Sequence, residues 1–98
     1  MTEIRLRTNK PDQATEIVFE ALALEEARLQ YSLKLAQKRL KFFEAKYGVD
    51  SDLFMGEWAA EDLEGQDMEY VEWAGEYKFA ASLMNRIDVI TGIRHDPS

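Results

Sequence analysis

The stretch that decides the fold is PDQATEIVFEALALEEARLQYSLKLAQKRLKFFEAKYG, residues 11–48. After Pro11 it contains no Pro and no Gly until Gly48, and Ala, Leu, Glu, Lys, Arg and Gln dominate it. Those residue types lose little side-chain freedom in a helix, so one uninterrupted helix is predicted over residues 12–47. Proline is tolerated in a first turn, and Asp12 and Glu16 suit the positive end of the helix dipole. Lys46 suits the negative end, and Gly48 is a natural left-handed cap. At 1.5 Å per residue such a helix is roughly 50 Å long, which demands a second long helix or a partner beside it.

A helical wheel divides this segment into two apolar stripes. Val18, Leu22, Leu29, Leu33, Ala36, Leu40, Phe43 and Tyr47 form one; Ile17, Leu24, Tyr31, Leu35 and Phe42 form the other. Their centres lie roughly 140° apart on the wheel. A helix in a simple hairpin needs only one stripe.

Downstream, Ser51 reads as the cap of a short helix over residues 51–62, with Leu53, Phe54 and Trp58 apolar and Gly56 weakening its middle. Glu64-Gly65-Gln66-Asp67 reads as a turn. A third helix is predicted over residues 67–90, with Gly92 as its stop and residues 93–98 as a tail. Tyr70, Trp73, Tyr77, Ala80, Ala81, Met84 and Ile87 form its apolar face; Phe79, Leu83 and Ile90 fall off it. Upstream, residues 2–8 alternate polar and apolar side chains, with Ile4 and Leu6 on one face, a short strand signal. The expected fold is mainly α: one domain, an antiparallel hairpin of two long helices, a short connecting helix and a short N-terminal strand.

The first stripe closes the hairpin. Either the short helix and the strand fold back over the second, or another protein or a second copy of the chain covers it. The candidate partner-binding residues are Ile17, Leu24, Tyr31, Leu35 and Phe42, with Glu61, Asp62 and Glu64 from the acidic connector. Charge is unevenly distributed: residues 50–76 hold ten acids and no Lys or Arg, while residues 28–46 hold six bases and one acid, Glu44. In an antiparallel hairpin these regions lie side by side and can pair; the surplus acids can also meet a basic partner.

Composition narrows the function classes. The 98 residues are 46% hydrophobic and 32% charged, which reads as a globular chain with a solvated surface. The net charge of −7 argues against non-specific nucleic-acid binding, which needs a basic surface. No apolar run approaches a membrane span, the N-terminus lacks a signal-peptide core, and there is no cysteine, so a cytoplasmic location is expected. The single histidine, His95, lies in the expected tail, and no nucleotide-binding, zinc-protease or nucleophile-elbow motif is present. Asp50, Asp52 and Glu57 lack the spacing of a calcium loop, and Glu69, Glu72 and Glu76 lack the histidines of a di-iron helix pair. A non-enzyme without metal or cofactor is expected, and a carboxylate–metal hydrolase is the remote alternative.

Phe43-Glu44-Ala45-Lys46-Tyr47-Gly48, then Ser51 and Phe54, then Gly65, then Glu72-Trp73-Ala74-Gly75-Glu76-Tyr77 form a recognisable pattern. It resembles a group of small prokaryotic helical proteins that begin with a short strand and a long helix. The chain departs from their pattern between Trp58 and Gly65, where it is alanine-rich. Such proteins tend to accompany a small TumE-like toxin, so the resemblance implies an antitoxin. In that role the second stripe and the acidic segment would dock on the toxin. The alternative is a homo-oligomeric structural protein whose second stripe is buried across a two-fold axis.

Overall fold

The computed structural model describes residues 5–57 and 67–95. Three helices follow one another: α1 (Pro11–Tyr47), α2 (Ser51–Glu57) and α3 (Asp67–His95). Pro11 opens α1 without a side-chain cap, and the Ala14 amide donates to the Lys10 carbonyl at 2.9 Å. Gly48 ends it at φ 67°, and its amide donates to the Glu44 carbonyl at 2.8 Å. A side chain here would crowd the following carbonyl, so glycine suits the position.

α1 and α3 are the long arms, antiparallel and packed against each other. Two ion pairs fix their register: Lys46 Nζ to Glu69 Oε1 at 2.8 Å, and Arg39 Nε to Glu76 Oε1 at 2.7 Å. The expected pairing of the basic end of α1 with the acidic start of α3 is therefore present. Seven residues separate the two partners on each helix, so equal steps along both arms keep contact. At the far end Glu25 and Leu29 share a cleft with Arg86 and Ile90.

The core lies along this seam. Leu29 and Ala36 pack with Ala80, Leu83, Ile87 and Ile90, with Leu22, Leu33 and Leu40 beside them. At the bend, Phe43, Phe54 and Trp73 form a second cluster. The buried residues recur every seven positions, Leu29-Ala36-Phe43 on α1 and Trp73-Ala80-Ile87 on α3, with Leu83 and Ile90 on a parallel row.

This repeat corrects the expected face of α3. Leu83 and Ile90 are buried, whereas Ala81 and Met84 are exposed. A straight helix at 3.6 residues per turn drifts by about 20° per heptad from a seam that repeats every 3.5. The wheel followed the first period and the packed helices follow the second.

Three further expectations change. Gly92 does not stop α3, which continues to His95. Glycine costs a helix about 1 kcal/mol, and burial of Ile87 and Ile90 just before it offsets that cost. Residues 5–8 form no strand: no neighbouring strand among the described residues offers them a ladder, and residues 2–4 lie outside those described. Ser51 is the first residue of α2 rather than its cap. The Phe54 amide donates to the Asp50 carbonyl at 2.9 Å, and the Ser51 hydroxyl is engaged elsewhere. Residues 58–62 of the expected short helix, the predicted turn at 64–66 and residues 96–98 also lie outside the described residues.

Candidate partner-binding surface

The bend is built around Trp73, which is fully buried. Its ring stacks on Phe54 at 3.8 Å between centroids and on Phe43 at 5.5 Å. Tyr47 stacks on it at 5.7 Å. The indole N–H donates to Ser51 Oγ at 2.9 Å; that hydroxyl donates to Glu44 Oε2 at 2.8 Å, which also accepts the Ser51 amide at 2.9 Å. Tyr77 donates to Asp52 Oδ1 at 2.6 Å and ties α3 to α2. That bond, made by the neutral phenol to a carboxylate, holds the Tyr77 hydroxyl above its ordinary pKa. Lys46 is held charged to higher pH by its bonds to Glu69. Most of the residues that carry the family resemblance thus make contacts of the fold at this end.

The surface left for a partner lies on the other side of α1. Ile17, Leu24, Tyr31, Leu35 and Phe42 are all exposed, from 37% at Leu35 to 74% at Leu24. They form two rows with a seven-residue step, Ile17-Leu24-Tyr31 and Leu35-Phe42, on the face turned away from the buried seam. Five apolar side chains, two of them aromatic, face solvent on a helix whose opposite face is packed. Among the described residues neither α2 nor the N-terminal segment covers them, so the intramolecular alternative is not realised there.

Lysines line this face. Tyr31 and Leu35 share a shallow groove with Lys34, Lys38 and Lys41, and no ion pair holds these lysines among the described residues. Between the two apolar faces Glu25 accepts from Arg28 at 2.6 and 2.7 Å, and that bond holds the Glu25 carboxyl below its usual pKa. Phe42 also borders a cleft with Arg39, Glu72, Gly75 and Glu76, on the flank where α1 meets α3.

The acidic candidates Glu61, Asp62 and Glu64 lie outside the described residues. Asp50, Asp52, Glu57 and Glu72 are exposed around the bend, away from Ile17 and Leu24 at the opposite end of the stripe. A second apolar series lies on α3, where Met68, Val71, Phe79, Val89 and Ile93 are exposed; of these the sequence reading set only Phe79 beside the main apolar face. Gly75, Ser82 and Arg86 interrupt it, so no continuous stripe signals it in the sequence.

Among the described residues no group of His, Asp and Glu is placed to hold a metal ion, and no helix is long and apolar enough to cross a membrane. Set against known proteins, the chain matches no family model, no curated protein and no solved structure.

Proposed function

We propose that this chain is a non-catalytic protein-binding protein and that the outward face of α1 is its binding surface. The observation that carries the reading is the exposure of Ile17, Leu24, Tyr31, Leu35 and Phe42 along one face of an otherwise packed helix. Apolar patches of this extent mark interaction sites, and aromatic side chains with lysine stems at the rim supply both burial and orientation. The biological role proposed is the antitoxin half of a prokaryotic toxin–antitoxin pair, on the resemblance in the Phe43–Gly48 and Glu72–Tyr77 segments alone. There the exposed acids at the bend steer a basic toxin into contact. A homo-oligomeric structural protein would use the same face of α1 without a toxin.

Co-expression with the product of the adjacent reading frame tests the role. The wild-type chain is expected to relieve growth arrest caused by that product and to co-purify with it. Absence of both removes the antitoxin role. Light scattering on wild type and Leu24→Glu tests the surface. The substitution is expected to dismantle whatever assembly the wild type forms, with helix content retained. A wild type that forms no assembly with itself or the neighbour defeats the binding reading.

A further inference from the structure

We infer that the outward face of α1 is covered by a second copy of itself, running antiparallel across a two-fold axis between Arg28 and Tyr31. The inference rests on the binding reading above and names the occupant. Three observations carry it.

The first is spacing. Ile17, Ala21, Leu24, Arg28, Tyr31, Leu35, Lys38 and Phe42 alternate steps of four and three, the core pattern of a coiled coil. The run spans nearly four heptads, or about 39 Å of helix, long enough for a stable helix pair.

The second is self-complementarity. An antiparallel pairing that sets Leu24 against Leu35 of the second copy also sets Ile17 against Phe42 and Arg28 against Tyr31. The same layers then repeat in reverse by symmetry. Leu24 and Ile17 meet apolar or aromatic side chains, the Arg28 guanidinium lies against the Tyr31 ring, and Ala21 falls against the stem of Lys38. A parallel pairing in register would instead stack Arg28 on Arg28 and Lys38 on Lys38, like charges in direct opposition.

The third is charge along the helix. Before Arg28, α1 carries Asp12, Glu16, Glu20, Glu25 and Glu26 and no internal base; from Arg28 onward it carries six bases and one acid. Reversing one copy lays the acidic half on the basic half. Glu20 then flanks Lys41 of the second copy, one of the lysines without an ion pair among the described residues.

The absence of native cysteine makes the register testable. Within one helix Leu24 and Leu35 lie eleven residues apart, about 16 Å at 1.5 Å per residue, beyond the reach of a disulfide. The full-length double variant Leu24→Cys/Leu35→Cys is expected to oxidise to a covalent dimer, and neither single variant is. In uncross-linked chains, Glu20→Lys should weaken the dimer several-fold in analytical ultracentrifugation, and the swap Glu20→Lys/Lys41→Glu should restore it. Self-linking of Leu24→Cys alone would overturn the antiparallel register. A monomeric wild type would overturn the homodimer: if it still forms a complex with the neighbouring product that Leu24→Glu abolishes, the proposed function stands, and if it forms none, both fall.

Discussion

At the scale of single residues, the polar chain Trp73–Ser51–Glu44 locks α2 against both arms of the hairpin. Ser51→Ala leaves the buried indole N–H without its acceptor, a loss of about 1–3 kcal/mol. Urea unfolding followed by tryptophan fluorescence would measure it; a change within experimental error would show that the hydroxyl does not matter. Tyr77 makes a prediction in pH. Its folded pKa is raised by the bond to Asp52, so the stabilisation is fully present below its unfolded value, about 10. It is lost as pH rises through the higher folded value. Tyrosinate absorbance should therefore contain a late-titrating component that shrinks in Tyr77→Phe, the remainder coming from Tyr47, whose pKa burial also raises, and an unchanged titration would refute it. None of this polar chain was legible in the sequence, where Ser51 read as a cap. It depends on Glu44 and Ser51 meeting across the reversal at Gly48, which no local pattern encodes.

At the scale of elements, α1 was legible from end to end because its signals are local: Pro11, Gly48, and the propensities between them. Its two stripes were legible because leucines and aromatics mark both. The seam of α3 was less so. There Tyr77 and Met84 lie one position beyond the half-buried Glu76 and the buried Leu83, and only the partner helix decides which row turns inward. The two faces of α1 predict different consequences for one substitution type. Leu29→Ala removes a fully buried side chain and is expected to destabilise the hairpin by about 2–5 kcal/mol. Leu24→Ala removes an exposed one and should change the stability of the single chain by less than about 0.5 kcal/mol. Chemical denaturation at concentrations low enough to dissociate any assembly compares them. Equal losses would mean that the outward face also belongs to the core.

At the scale of the whole molecule, the hairpin is a rod of 62 × 25 × 20 Å. Its radius of gyration is 18.8 Å, against about 13 Å for a compact domain of this length. So elongated a chain spends surface rather than saving it, and α1 projects past the end of α3, where Ile17 and Phe19 are exposed. A second rod laid along α1 would bury its stripe and support that overhang, leaving the acids at the bend accessible at opposite ends of the pair. The candidate surface was thus visible in the sequence as a stripe in excess of what a hairpin requires, although its occupant was not. The most direct measurement is Tyr31→Glu studied by light scattering and near-ultraviolet circular dichroism on the same samples. The expected result is a fall in mass to that of one chain, with the signal of buried Trp73 preserved. An unchanged mass, or a single chain in which the Trp73 signal has collapsed, would contradict the assignment of this face to binding.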